Sequence, residues 1–175
     1  SYNHADKDGG AIYCSGNFTS VTGCLFINNT AAKSIIHYQS FYKGSTFNDN
    51  IFLNHEIGSE ISFSEIDESA NIDYNWFGNT YDNRSVSPKI TKYVKVNNWL
   101  YLDMVPDLAT SSGVVSINNL YDNNTGKTST YSTSKLPSIA VTVDADNSII
   151  DIDKVVLDNT GKAKFEFTFM NDTLF

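Results

Sequence analysis

The sequence predicts an all-β protein, and three observations support this prediction. Aromatic and β-branched residues alternate with Asn, Gly and Ser, and asparagine alone occurs 20 times, a composition typical of strands joined by turns. No segment keeps an apolar helical period over about twelve residues. A motif of strand-like residues recurs in the first half with a period of about 25 residues. Together these features indicate short strands arranged in a regular repeat.

The repeat consists of three aligned segments, 21–29, 47–55 and 72–79. In each segment an apolar residue is followed by a small or polar one, then by Phe and then by Asn. The aligned positions are Val21, Cys24, Phe26 and Asn28, then Phe47, Asn50, Phe52 and Asn54, and last Ile72, Asn75, Phe77 and Asn79. A period of this length predicts coils of a parallel β-helix. Unrelated hairpins with similar Asn-rich turns are the less favoured alternative.

Stacked coils would place equivalent residues directly above one another, about 4.8 Å apart. We expect an internal aromatic column of Phe26, Phe52 and Phe77, and a polar column of Cys24, Asn50 and Asn75. An Asn amide can bond to its neighbour in such a column, and Asn also tolerates left-handed corners. The sequence therefore predicts a right-handed parallel β-helix of about three coils. Together with its cap, it occupies residues 1–92.

The second half shows a different pattern. Residues 80–88 have the composition of a loop, and an alternating strand is predicted at 94–105. Further strands are predicted at 114–120, 139–143, 148–152, 155–157 and 162–169. Short strands at this spacing, over about 80 residues, predict an immunoglobulin-like β-sandwich at 93–175. No Cys follows Cys24, so this domain would lack the disulfide of antibody domains.

Several motifs resemble the adhesin-like surface proteins of methanogenic archaea. They are Asp-Gly-Gly-Ala-Ile-Tyr at 8–13, Asn-Trp-Phe-Gly-Asn at 75–79 and Val-Asn-Asn-Trp-Leu-Tyr-Leu at 96–102. In that family, right-handed β-helix coils end in an Asn-Trp-Trp-Gly-Asn-like motif. Immunoglobulin-like repeats of the invasin and intimin kind then follow. Here Trp76 matches the first Trp, and Phe77 replaces the second.

The resemblance implies an exported protein at the cell surface that contacts other cells, a host or a matrix. Its implied partners are a surface protein or glycan of another cell and the flanking repeats of a longer parent protein. We expect this chain to be a piece of such a protein, with more coils before residue 1. The family's motifs are structural, so the resemblance transfers no catalytic residue.

The charge of the chain is strongly acidic. Twelve Lys and Arg against 20 Asp and Glu give a net charge of −8, which disfavours nucleic acid and anionic lipid as partners. No apolar run is long enough to cross a membrane. Acceptor motifs for N-glycosylation, which give weak support for export, occur at Asn17, Asn28, Asn83, Asn123 and Asn171.

The alternative function is a carbohydrate-binding or polysaccharide-processing module, because some polysaccharide-cleaving enzymes share the β-helix fold. Such enzymes place carboxylates on one face of successive coils. The candidates are Asp6, Asp8, Asp49, Glu56, Glu60 and Glu65, with His37 and His55. No Asp pair or Arg recurs one coil apart, so a solvated acidic face is the favoured interpretation. His4, His37 and His55 are expected to be ordinary surface or coil-end residues, and the chain is not expected to be an enzyme.

No resident cofactor is expected. Asp144, Asp146 and Ser148 are the best calcium candidates, but the Gly and Glu of a calcium loop are missing, so a turn is favoured. Cys14 and Cys24 could form a disulfide or remain buried thiols, and thiols are slightly favoured. Trp99 is expected to pack under the cap at the domain junction.

Overall fold

The computed structural model describes residues 2–16, 20–41, 44–53, 59–66, 71–90, 96–144, 148–150 and 154–169. Every regular element within these ranges is a β-strand, so the prediction of an all-β protein is confirmed. The strands of the first half are β1 (His4–Ala5), β2 (Asp8–Cys14), β3 (Ser20–Thr22), β4 (Leu25–Ile27), β5 (Thr30–Ala31), β6 (Ser34–Phe41), β7 (Thr46–Asn48), β8 (Ile51–Leu53), β9 (Ser59–Ile66) and β10 (Asn75–Thr80).

The first-half strands form parallel stacks. Strands β4, β8 and β10 lie side by side, as do β2, β6 and β9, while β3 pairs with β7 and β1 with β5. Leu25 is opposite Ile51, and Ile51 is opposite Trp76, so the paired residues hold equivalent places in the aligned segments of the repeat. One repeat of the sequence is therefore one coil. The first half is a parallel β-solenoid of about three turns, as predicted.

Aromatic rings fill the interior of the solenoid. The ring centroids of Phe26 and Phe52 are 4.8 Å apart, and those of Phe52 and Phe77 are 5.1 Å apart, with nearly parallel planes. A second stack joins Tyr38 and Phe63 at 5.7 Å. The three Phe residues of the repeat thus lie in one column, and Phe52 at its centre is only 2% exposed.

Asparagine side chains form a hydrogen-bonded ladder beside this column. The side-chain oxygen of Asn50 accepts from the backbone N–H of Cys24, and that of Asn75 accepts from the backbone N–H of Asn50, each at 3.0 Å. The Asn50 amide also donates to the Asn75 oxygen at 3.0 Å. Asn3 bonds to Asn29 in the same way, a second ladder that the sequence analysis did not identify. The Asn side chains thus provide hydrogen-bond partners for backbone N–H groups at the coil corners.

The residue before each ladder position has a left-handed backbone. Gly23, Asp49 and Tyr74 have φ values of 64°, 56° and 64°. We expected Asn to adopt this conformation at the corners, and Asn28 does, with φ 52°. At the ladder itself, however, the neighbour of the Asn turns the chain. The side chain of the ladder Asn makes the hydrogen bonds between coils, and the residue before it adopts the left-handed conformation.

The strands of the second half are β11 (Asn98–Asp107), β12 (Ser112–Asp122), β13 (Thr128–Thr130), β14 (Ile139–Thr142), β15 (Ser148–Ile150), β16 (Lys154–Leu157) and β17 (Lys162–Phe169). Strand β13 was not predicted from the sequence. Strand β12 lies between β11 and β17 and pairs antiparallel with both. Strand β15 extends this sheet beyond β17, and β14 pairs with β16 in a separate two-stranded sheet.

Strand β11 joins the two halves of the chain. From the sequence we expected β11 to begin the second domain, but it pairs in parallel with β10, with Trp76 opposite Leu100. One eight-stranded sheet therefore includes the solenoid strands β4, β8 and β10 and the antiparallel strands that follow. The predicted boundary between residues 92 and 93 lies outside the described residues.

Two hydrophobic cores lie on opposite faces of this sheet. The first fills the solenoid and contains Phe26, Phe52 and Trp99. The second contains residues of β12, β14, β16 and β17, and it also takes in Ile51, Trp76 and Leu100 from the solenoid stack. Because Ile51, Trp76 and Leu100 are each at most 3% exposed, the outer face of the solenoid is buried by the second half.

Replacing Phe52 with Ala should destabilise the solenoid strongly. Phe52 contacts Phe26, Phe47 and Phe77, so truncation would open a cavity between three rings. We expect a loss of about 3–5 kcal/mol in the free energy of unfolding, measured by urea denaturation. Val156→Ala is the control, because Val156 is 63% exposed and should change stability by less than about 0.5 kcal/mol. Equal effects of the two substitutions would contradict the central role of the column.

Candidate functional site

The two tryptophans, Trp76 and Trp99, lie at the junction between the solenoid and the following strands. The indole N–H of Trp76 donates to the carbonyl of Asn79 at 2.8 Å, and that of Trp99 donates to the carbonyl of Arg84 at 2.7 Å. Both rings are at most 3% exposed. The Trp99 bond holds the loop after β10 against the end of the solenoid, and the Trp76 bond lies within β10. Neither buried ring offers a face for a sugar ring.

Cys14 and Cys24 are thiols in the structure, and no disulfide joins them. Both pack against the solenoid core, and both are partly buried. The Cys24 thiol lies on the Asn50 rung and donates to the carbonyl of Thr22 at 3.4 Å. Both cysteines therefore pack as small side chains at the edge of the core.

The calcium candidates are only partly described. Asp144 is exposed, Asp146 lies outside the described residues, and only the backbone of Ser148 is described. Within the described part of the chain, no group of three or more His, Cys, Asp or Glu side chains could hold a metal ion.

The potential glycosylation sites differ in exposure. Asn83 and Asn123 are exposed, Asn28 is partly buried, and Asn17 and Asn171 lie outside the described residues.

The described acidic candidates do not all lie on the solvated face that we expected. Asp6 is exposed beside His4, but Asp49 is only 3% exposed. Its carboxylate accepts hydrogen bonds from the hydroxyls of Tyr131 and Thr133, each at 3.0 Å. Burial, followed by the Asp49 charge, raises the pKa of Tyr131. The prediction was wrong for Asp49 because a segment from the second half of the chain covers it.

That segment, residues 131–135, crosses the corners of successive coils, and we call it the strap. The Tyr131 ring stacks on Tyr74 with centroids 4.7 Å apart. A Cβ on Gly23 would lie 2.6 Å from the carbonyl oxygen of Lys135, so the strap and the first corner are in close contact. The strap therefore contacts the three left-handed residues that precede the ladder positions, Gly23, Asp49 and Tyr74.

Glu60 lines a cleft of about 150 Å³ between β9 and the loop after β10. Phe77, Val86 and Pro88 form its apolar walls, and Asn79 and Lys89 also line it. A backbone hydrogen bond holds the walls together, since the N–H of Glu60 donates to the carbonyl of Lys89 at 2.8 Å. The cleft is thus a small apolar recess with one carboxyl group.

The Glu60 carboxyl is unusual because one of its oxygens lacks a partner. Oε2 is buried and accepts no hydrogen bond from any described residue. Burial raises the pKa of Glu60, an effect that hydrogen bonds and the nearby Lys89 charge partly offset. Glu60 is one of several acidic candidates in the sequence, and we expected its side chain to be solvated. This carboxyl could accept a hydrogen bond from a ligand in the cleft.

His37 is also more buried than we expected for a surface or coil-end residue, with 9% of its area exposed. Its ring contacts the hydroxyls of Ser62 and Ser64 on β9. The sequence analysis did not identify these serines. Ser62 is opposite His37 on the next coil, so the repeat could have indicated the contact. His55 and Glu56, together with the side chain of Glu65, lie outside the described part of the structure.

Comparisons with known proteins found no matching family model, no matching curated protein and no matching solved structure. Among the described residues, no helix is long and apolar enough to span a membrane. The fold itself defines the class of the protein. The chain is an all-β protein with a parallel β-solenoid whose sheet continues into antiparallel strands.

Replacing Glu60 with Gln should stabilise the protein near neutral pH. A buried carboxyl with a raised pKa contributes most to stability when protonated, and that contribution falls as pH rises from the usual pKa of 4.5 through the raised value. Gln does not ionise, so the Glu60→Gln variant keeps its stability as the pH rises. Its free energy of unfolding should exceed that of the unaltered protein near neutral pH, and the difference should vanish in acid. Urea denaturation at both pH values measures the difference. Glu166→Gln is the control, because Glu166 is exposed. A pH-independent difference would contradict the assignment.

Proposed function

We propose that this chain is a stalk and display segment of a cell-surface, adhesin-like protein that mediates contact with other cells, a host or a matrix. The observation that carries the proposal is the single sheet that runs from the solenoid through β10 and β11 into β12 and β17. Backbone hydrogen bonds cross the junction between the halves, so the junction resists bending. A stiff segment of this kind suits a protein that presents binding surfaces away from a cell.

Two further observations favour a stiff segment. The strap lies across the corners at Gly23, Asp49 and Tyr74, and the hydrogen bonds of Tyr131 and Thr133 with Asp49 attach it there. The second core buries the outer faces of Ile51, Trp76 and Leu100. A flexible hinge between the halves would expose these apolar faces to water. Movement of one half against the other would therefore carry a large energetic cost.

The finer features of the proposal come from the resemblance to methanogen adhesin-like proteins. They are the right-handed sense of the coils, the immunoglobulin-like nature of the C-terminal strands and the extracellular location. Flanking repeats of a parent protein are proposed partners. Among the described strands, β2, β3 and β4 each pair on one edge only. Their other edges could therefore accept a further coil.

The charge of the chain bears on its partners. A net charge of −8 favours a protein or glycan on another cell over nucleic acid or anionic lipid. An extended segment offers broad, shallow surfaces, so useful adhesion would come from many copies acting together. The adhesive role requires neither a catalytic residue nor a cofactor.

Beads that carry the purified chain test the proposal. We expect binding to cells or matrix to rise steeply with the number of copies on each bead, because each additional contact is effectively intramolecular. Beads with an unrelated acidic β-protein at the same density are the control. Equal binding of the two bead types to every cell type and matrix tested would contradict an adhesive role.

A carbohydrate-binding module is the second candidate function, and the Glu60 cleft is the observation that favours it. Its volume of about 150 Å³ suits one sugar ring, with Phe77 and Pro88 as apolar walls. Lys89 lies close enough to offset part of the Glu60 charge. A neutral ligand with a hydroxyl donor therefore suits the Glu60 carboxyl better than a cation does.

Saturation-transfer NMR with neutral monosaccharides tests the second candidate. We expect binding that Val86→Trp abolishes by filling the cleft and that Glu60→Gln weakens by about tenfold or less, since one charged hydrogen bond contributes roughly 1.5–3 kcal/mol and Gln retains an acceptor. Val156→Trp, on an exposed strand position, is the matched control. Binding that survives Val86→Trp would place the sugar elsewhere. An assay for reducing ends separates binding from cleavage.

A further inference from the structure

A continuous chain of polar side chains crosses the face of the sheet formed by β2, β6 and β9. Asp8 accepts from Ser34 Oγ at 3.2 Å, and Ser34 Oγ is 2.7 Å from Ser62 Oγ. Ser62 Oγ is 2.7 Å from His37 Nδ1, and His37 Nε2 is 3.3 Å from Ser64 Oγ. The chain therefore runs from a carboxylate through two hydroxyls and an imidazole to a final hydroxyl.

The direction of every hydrogen bond in this chain follows from counting donors. A carboxylate only accepts, and a serine hydroxyl has one hydrogen. Ser34 gives its hydrogen to Asp8, so Ser62 must donate to Ser34. Ser62 then has no hydrogen left, and His37 Nδ1–H must donate to it. The neutral imidazole is consequently an acceptor at Nε2.

The last hydrogen bond is thus from Ser64 Oγ–H to His37 Nε2. This is the arrangement in which an imidazole acts as general base towards a hydroxyl. The direction of these hydrogen bonds is set at the opposite end of the chain by the Asp8 carboxylate, which can only accept. Lys33 Nζ lies 3.5 Å from this carboxylate.

Exposure differs between the base and the hydroxyl. His37 is 9% exposed, and the Tyr13 ring stacks on it with centroids 5.0 Å apart. Ser64, in contrast, is exposed to solvent. The base is shielded from water while the hydroxyl is accessible to a reactant, as a nucleophile requires.

We propose that Ser64 is a nucleophile that accepts an acyl group from an activated ester or thioester, with His37 as its general base. Ser64 Oγ forms a bond to the acyl carbon while its proton moves to His37 Nε2. The bond from that carbon to the leaving oxygen or sulfur then breaks, and the leaving group takes the proton from Nε2. The products are an acylated Ser64, a free alcohol or thiol, and neutral His37. This reactivity is separate from the adhesive role, which does not use it.

The test is reaction of the full chain with p-nitrophenyl acetate, followed by release of p-nitrophenolate and by peptide mass spectrometry. We expect one acetyl group on Ser64. Ser64→Ala should abolish this adduct, and His37→Gln should slow its formation by about 100-fold, the scale of general-base catalysis. Ser129→Ala, on the exposed strand β13, is the matched control and should leave the rate unchanged. A rate on Ser64 no faster than that on Ser129 would overturn the proposal.

The imidazole tautomer provides a second test, whose decisive measurement uses the unaltered protein. Nitrogen-15 NMR of the unaltered protein should show the hydrogen of neutral His37 on Nδ1. Asp8→Ala removes the final acceptor, so Ser34 becomes able to donate to Ser62 and the other tautomer should gain population. A hydrogen on Nε2 in the unaltered protein would overturn the proposal, even if the variants that test acylation failed to fold.

Discussion

Parallel pairing between coils of nearly constant length is the constraint on which the rest of the structure depends. Leu25, Ile51, Trp76 and Leu100 succeed one another on adjacent strands, each one coil after the last. A slip of one residue would turn every side chain of a strand to the opposite face. The aromatic column would then face outward, and the residues of the second core would face inward. Coil length therefore determines which side chains form each core.

The asparagine ladder and the strap act on the same corners from different sides. Asn50 and Asn75 satisfy backbone groups that the turn leaves unpaired. The ladder ends where Asp73 accepts from the backbone N–H groups of Asn97 and Asn98, at the start of β11. From outside, the strap packs on the residues with a left-handed backbone. The corners are thus held by both halves of the chain, which connects the solenoid mechanically to the strands that follow.

The polar groups buried in the solenoid include Asp49, His37 and the Oε2 atom of Glu60. Asp49 is paired by the strap, so its burial has a structural explanation. Glu60 retains an oxygen without a partner among the described residues, beside an apolar recess, and His37 belongs to a hydrogen-bond chain that ends at an exposed serine. An unpaired buried polar group is costly, and a directed chain of hydrogen bonds is specific. These two places are therefore the candidates for chemistry beyond the proposed adhesive role.

The sequence by itself determined the solenoid, because the Phe and Asn positions recur once per coil and stacking converts that period into columns. It also determined β17, whose alternating residues define Lys162–Phe169 at both ends. Only the tertiary structure decided the partner of β11, since alternation predicts a strand without saying what lies beside it. The same holds for the burial of Asp49 and Glu60, and for the contacts of His37. These depend on segments from other coils or from the second half, and local patterns carry no information about such distant neighbours.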